Sequence, residues 1–205
     1  MWAVTVWAFA AAVLFASGQG GTDKKGDLWL GGQPSAPVKI ELFSDFQCPV
    51  CRMFYLETIK PLIADFTKEK RIDKIYIVYH DFPLDMHPHA RTAACYALAA
   101  ERVSREAWLR VTDALYQEQE QWSQNGNIEA VLAKVLDPTE LTRVRKLAAD
   151  PSIEQALRAE ILLGQSRQVT MTPTFFVITE SGRQERVNGG LAYPVVKGRI
   201  EHLLK

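Results

Sequence analysis

The chain has 205 residues, 47% of them hydrophobic and 23% charged, which is material for one folded domain or one domain carrying a large insertion. Basic and acidic residues balance at 24 each, so the charge argues against nucleic acid or an anionic membrane surface as a partner. Three cysteines are too few for a disulfide scaffold and divide most simply into one pair and one leftover.

Residues 1–18 are apolar from Trp2 to Ala16 and then turn small and polar. This is the pattern of a secretory signal peptide or a short membrane anchor, although no Lys or Arg precedes the apolar run. The stretch falls short of the roughly 20 residues of a spanning helix. Residues 19–37, rich in Gly, Ser, Pro and charge, read as a linker. Val38, Ile40 and Leu42 then alternate with Lys39 and Glu41, which predicts a strand. A helix is expected to start at Cys48 or Pro49 and run to about Lys70, with Pro61 marking a kink or break. Ile75 to Tyr79 is β-branched and aromatic, a second strand.

From Met86 to about Gln168 the pattern is helical throughout. Trp108, Val111, Leu115 and Trp122 form one apolar stripe, and Ile128, Val131, Leu132 and Val135 the next. Asp137-Pro138-Thr139-Glu140 and Asp150-Pro151 are helix starts, an acidic cap followed by proline in the first turn. After Thr172-Pro173, residues 174–179 predict a strand. Residues 180–183 make a turn and Gln184 to Val187 a short partner strand. A closing amphipathic helix follows Pro194 and carries Val195, Val196, Ile200, Leu203 and Leu204.

The chemistry concentrates in Cys48-Pro49-Val50-Cys51, placed where a strand meets a helix. A thiol attacks only as thiolate, and the unpaired N–H groups at a helix start stabilise one. Such placement lowers a cysteine pKa to roughly 3.5–7.5. A second thiol one turn on can close a disulfide, so the spacing points to redox chemistry. Zinc would need two more ligands at similar spacing, and only His87 and His89 form a close histidine pair. Copper carriage by the two thiols and a histidine is a further reading, which the two-residue spacing does not favour. Cys95, in an alanine-rich helix, reads as a small buried hydrophobe, with a regulatory thiol as the alternative. His80, His87 and His89 read as loop and capping residues.

Taken together, these segments resemble the DsbA-like thiol-disulfide oxidoreductases of the thioredoxin superfamily over roughly residues 31–205. Phe43 to Cys51 is similar to their active-site segment. Asp81-Phe82-Pro83-Leu84 with His87-Pro88 resembles their passage into a helical insertion, and Gln168 to Phe176 their cis-proline loop. The resemblance implies an α/β thioredoxin fold with a helical domain inserted between its two halves: residues 38–85, the insertion at 86–168, and residues 169–205. It also implies a cis bond between Thr172 and Pro173, where the Thr172 backbone would pair with an extended client by strand addition. Cys48 is expected to be the attacking thiol and Cys51 the buried resolving one. Glu41 reads either as a general base for Cys51 or as a solvated strand glutamate. The implied activity is exported disulfide formation in cysteine-containing client proteins, with reoxidation by a quinone-linked membrane partner. The location would be periplasmic or otherwise extracytoplasmic, the protein a monomer, and no cofactor or metal is implied. Val50 supplies neither charge nor hydrogen bond between the cysteines, so a reductase or isomerase, or a non-catalytic peptide-binding chaperone, remains an alternative reading.

Overall fold

The computed structural model describes residues 28–205. The expected signal or anchor at 1–18 and the first part of the expected linker lie outside the described residues. Within the remainder of that linker the structure differs from expectation: Leu28–Gly32 is a strand, β1. It pairs antiparallel with β3 (Ile75–Asp81) at the sheet edge and buries Leu28 and Leu30. The reason it closes there is Gly32, at φ 85, where a Cβ would sit 1.8 Å from the Ile75 carbonyl oxygen; only glycine permits that approach.

β2 (Val38–Ser44) is central, parallel to β3 and antiparallel to β4 (Thr174–Thr179), which in turn pairs antiparallel with β5 (Gln184–Asn188). The five strands run in the order β1-β3-β2-β4-β5. Parallel neighbours need a crossover, and the helical segment between β2 and β3 provides it. That segment is helical without interruption from Pro49 to Lys68, and the irregularity expected at Pro61 falls just before it. It comprises α1 (Pro49–Phe54), a π-helical turn (Tyr55–Ile59) and α2 (Lys60–Lys68). Pro61 has no N–H for the Glu57 carbonyl, and its ring crowds that carbonyl, so the ladder widens one turn earlier. The wider turn stacks Tyr55 on Tyr116 (4.6 Å) and lets the Thr58 hydroxyl donate to the Leu191 carbonyl.

Six helices separate β3 from β4: α3 (Ala90–Val103), α4 (Arg105–Gln117), α5 (Gln119–Asn125), α6 (Ile128–Leu132), α7 (Pro138–Ala148) and α8 (Pro151–Ser166). α7 opens with a complete capping box: Asp137 accepts from the Thr139 and Glu140 N–H groups, and Glu140 accepts from the Asp137 N–H. Asp150 caps α8 and the Ser104 hydroxyl caps α4. α9 (Tyr193–Leu203) ends the fold. No helix among the described residues is long and apolar enough to cross a membrane.

Strand alternation divides the core into two sides. Ile40, Leu42, Ile77, Tyr79, Phe175 and their helix partners form the main cluster, while Phe43, Phe82, Val169 and Phe176 form a smaller one on the opposite face. The CxxC helix packs on the first side, where Phe54 stacks on Phe175 (5.1 Å). At about 25 cal/mol per Å² of apolar area, each such aromatic contributes roughly 1.5–3 kcal/mol.

Candidate active site

Cys48 is the residue that begins α1: its backbone is extended (φ −74, ψ 122), Pro49 occupies the first helical position, and its carbonyl accepts from the Arg52 N–H. Both Cys48 and Cys51 are free thiols with little exposure, 5% and 1%. The two sulfurs nevertheless differ chemically. Cys48 is lowered to about 6, chiefly by the Cys51 thiol donating to it. The Cys51 N–H and the Val50 N–H add to this, while burial opposes. Burial pushes Cys51 upward, and the neighbouring Cys48 pushes the same way. Only the Ser44 hydroxyl and the Asp45 N–H ease Cys51 toward ionisation.

The Thr172–Pro173 bond is cis and brings Thr172 against the dithiol, where Cys48 Sγ–H donates to the Thr172 carbonyl at 3.5 Å. Cys48, Cys51, Thr172 and Pro173 therefore meet at one place, although about 120 residues of sequence lie between the two pairs. Beside them runs a groove of about 350 Å³ between α1 and the loop into α9, lined by Val50, Met53, Phe54, Leu191 and Tyr193. Gly190 forms part of its wall; a Cβ there would lie 3.2 Å from Phe54 Cβ.

Glu41 is not in this group, and the expectation that it serves Cys51 is corrected. It alternates with Leu42 and pairs with Phe176 and Val78, so it projects from the face opposite α1. There it binds Lys39 Nζ at 2.8 Å and the Arg167 guanidinium, which lies 3.7 Å over the Phe176 ring centre. His80 also departs from expectation. It lies in β3 rather than in a loop, on the same opposite face, stacked on Phe43 and bonded to Glu160 at 2.6 Å.

Residues outside the motif hold the loop that carries the cysteines. The buried Asp45 carboxylate accepts from the Gln47 N–H, the Leu84 N–H and His87 Nδ1, while the Asp45 carbonyl accepts from the Cys48 N–H. Gln119 Nε2 donates to the carbonyls of Phe46 and Cys48, and Arg52 Nε donates to the Tyr116 carbonyl. The polar pair Ser44-Asp45, ending an apolar strand just before the cysteines, is a signal that could have pointed to these two. Tyr116 and Gln119 are masked inside a helical stripe some 70 residues away. Asp81 pairs with Ser44 in the sheet register; its carboxyl is buried and has no hydrogen-bond partner. Burial pushes it well above the usual carboxylate range, and the nearby Glu160 and Asp45 add to this.

Among the described residues no cluster of three or more His, Cys, Asp or Glu is arranged to hold a metal ion. Cys95 lies apart in α3, half-buried, with Sγ 3.9 Å from Glu154 Oε2, and burial raises it to about 11.

Comparison with known proteins places this geometry. The chain is 24% identical over 169 residues to the probable disulfide bond formation protein D of Bacillus cereus, a match covering 80% of this chain and 71% of that one. Its fold superposes on the crystal structure of Wolbachia pipientis α-DsbA1 with a TM-score of 0.70 and 20% identity, covering 87% and 91% of the two chains. Pseudomonas aeruginosa DsbA2 matches with a TM-score of 0.66 and 22% identity, covering 87% and 94%. These structural likenesses establish a thioredoxin-like fold of the DsbA type. The profile of the family described as Thioredoxin matches residues 23–186, from before β1 to within β5, and on that span the chain belongs to the thioredoxin family.

Proposed function

We propose that this thiol-disulfide oxidoreductase forms disulfides in exported client proteins through a redox-active Cys48–Cys51 pair. The observation that supports exchange at this pair is the contrast between the two sulfurs, Cys48 lowered to about 6 and Cys51 raised, with Thr172 against Cys48. A cysteine that is comfortable as thiolate stabilises the reduced enzyme, and so makes the oxidised enzyme an oxidant.

In the oxidised protein a client thiolate attacks Cys48 Sγ. The Cys48–Cys51 bond breaks, its electron pair leaves on Cys51, and a mixed disulfide joins Cys48 to the client. A second client thiolate attacks the client sulfur of that bond, and Cys48 leaves as thiolate. Two electrons pass to the enzyme, the client gains a disulfide, and the two client thiol protons go to the enzyme or to solvent. Thr172 and Pro173 would hold the client backbone as an added strand, and the groove along Val50 and Met53 would take apolar side chains. A quinone-linked membrane partner would restore the disulfide, and the relatives' chemistry supports export of the protein.

The reductase or isomerase reading keeps one observation on its side: Val50, 42% exposed between the cysteines, adds no positive charge to hold the Cys48 thiolate. Equilibration with reduced and oxidised glutathione decides. An oxidase is expected between about −120 and −180 mV, whereas a value near the −270 mV of a thioredoxin-type reductant would reverse the assignment.

A further inference from the structure

Two four-residue turns meet at the loop that carries the dithiol. In the first, residues 45–48, the Cys48 N–H returns to the Asp45 carbonyl at 3.1 Å, and α1 follows. In the second, residues 84–87, the His87 N–H returns to the Leu84 carbonyl at 2.9 Å. One carboxylate joins them. Asp45 Oδ1 accepts from the Gln47 N–H of the first turn at 2.7 Å. Asp45 Oδ2 accepts from the second turn, from the Leu84 N–H at 2.8 Å and from His87 Nδ1 at 2.7 Å. The Asp45 side chain is 0% exposed and that of His87 17%, so water competes little for these bonds. A carboxylate only accepts, so His87 carries hydrogen on Nδ1 whether its ring is neutral or charged. Of the three bonds on the carboxylate, this is the one that a side chain supplies; the other two come from backbone N–H groups.

We propose that His87 is a positioning residue for disulfide exchange: through Asp45 it holds the turn that presents Cys48 to an attacking thiolate. The inference rests on exchange at Cys48–Cys51. In that step a new bond forms to Cys48 Sγ, the Cys48–Cys51 bond breaks, and its electron pair leaves on Cys51. His87 touches none of these atoms and moves no proton. Its part is alignment, because a thiolate must approach in line with the bond that breaks. The extended backbone of Cys48 (φ −74, ψ 122) is fixed by its N–H bond to the Asp45 carbonyl, and Asp45 is fixed by the three bonds on its carboxylate. Without His87, Oδ2 keeps only the Leu84 N–H, and the turn can rotate about that end. The loop as a whole stays tethered, since Gln47 Nε2 donates to the Ser123 carbonyl at 3.0 Å and Gln47 Oε1 accepts from the His89 N–H at 2.7 Å.

Stopped-flow reduction of the oxidised protein by dithiothreitol, followed by tryptophan fluorescence, measures this step. His87→Ala is expected to slow it about three- to tenfold, the weight of one hydrogen bond. His87→Asn should return to within about twofold of wild type, because its amide nitrogen reaches the place of Nδ1. His87→Gln, whose amide reaches the place of Nε2 instead, should stay as slow as His87→Ala. Urea midpoints taken on the same samples separate alignment from stability. A histidine that only stabilised the fold would lower the midpoint of His87→Ala and leave the rate at the wild-type value, and that result overturns the proposal. His87→Asn reacting as slowly as His87→Ala overturns it too. Should His87→Ala fail to fold, the asparagine and glutamine variants carry the same comparison, and equal rates in those two overturn it. A wild-type protein whose disulfide dithiothreitol does not reduce overturns the exchange reading beneath it, a result visible before any variant is made.

Discussion

The two faces of the central sheet carry the same kinds of polar residue in opposite arrangements. On the face away from α1, Glu41 is bound by Lys39 and Arg167, and His80 by Glu160. These charges are paired, and Arg167 also covers the Phe176 ring. On the face beneath the CxxC, Asp81 is buried with no hydrogen-bond partner, and the hydroxyls of Ser44, Tyr116 and Tyr79 bond one another. Consecutive residues of β2 thus belong to two regimes, separated only by the pleat. One face is held by paired charges, whereas the other keeps a buried unpaired carboxyl and a row of neutral hydroxyls.

The contrast can be tested from its strongest consequence down. Cys51→Ser should reduce multiple-turnover oxidation of a dithiol peptide by at least about a hundredfold and accumulate a mixed disulfide at Cys48, seen on non-reducing gels. Glu41→Gln should leave the same assay unchanged, and a comparable loss there would erase the distinction between the faces. Asp81→Asn addresses stability. Because the folded carboxyl is raised, its contribution is fully present below the ordinary aspartate pKa and is lost as pH rises toward the raised value. Urea midpoints should show wild type losing stability relative to Asp81→Asn by about 1.4 kcal/mol per pH unit across that window. Parallel pH profiles would mean that Asp81 has a partner after all. Arg167→Ala should cost about 1–3 kcal/mol by leaving the largely buried Glu41 with Lys39 alone, with client oxidation within about twofold of wild type. Cys95→Ser should change neither stability by more than about 0.5 kcal/mol nor exchange rate, since Cys95 is half-buried and remains a thiol at neutral pH.

Local rules account for what could be read in advance. Alternation from Val38 to Leu42, the acidic caps at Asp137 and Asp150, and the placement of Cys48 before a proline-started helix depend on neighbours within a few residues. β1 escaped because Gly31, Gly32 and the flanking charges look like linker, although Leu28 and Leu30 are a strand's inward positions. Glu41 was visible as an alternating residue, but the side of the sheet that receives α1 is a property of the crossover and not of the strand. Tyr116 and Gln119 look like ordinary members of a helical stripe until the fold carries them to the cysteine loop. The dithiol was legible because its chemistry is written in four consecutive residues. Apart from Thr172–Pro173, the groups that support it were not, because they converge from separate stretches of chain at Asp45, Leu84 to His87 and Tyr116 to Gln119.

Gln119 gives that convergence an order in time. Its one amide nitrogen bonds the carbonyls of both Phe46 and Cys48, so the loop holding the first thiol is complete only when residue 119 has arrived. During synthesis the chain appears from its N-terminus, and Cys48 and Cys51 emerge some 70 residues before Gln119 and about 120 before Thr172. Through that interval the cysteines are ordinary thiols on an unfinished loop, and the contacts that distinguish them are made after most of the polypeptide has been translated. The setting that tells the two thiols apart is therefore acquired only near the end of synthesis.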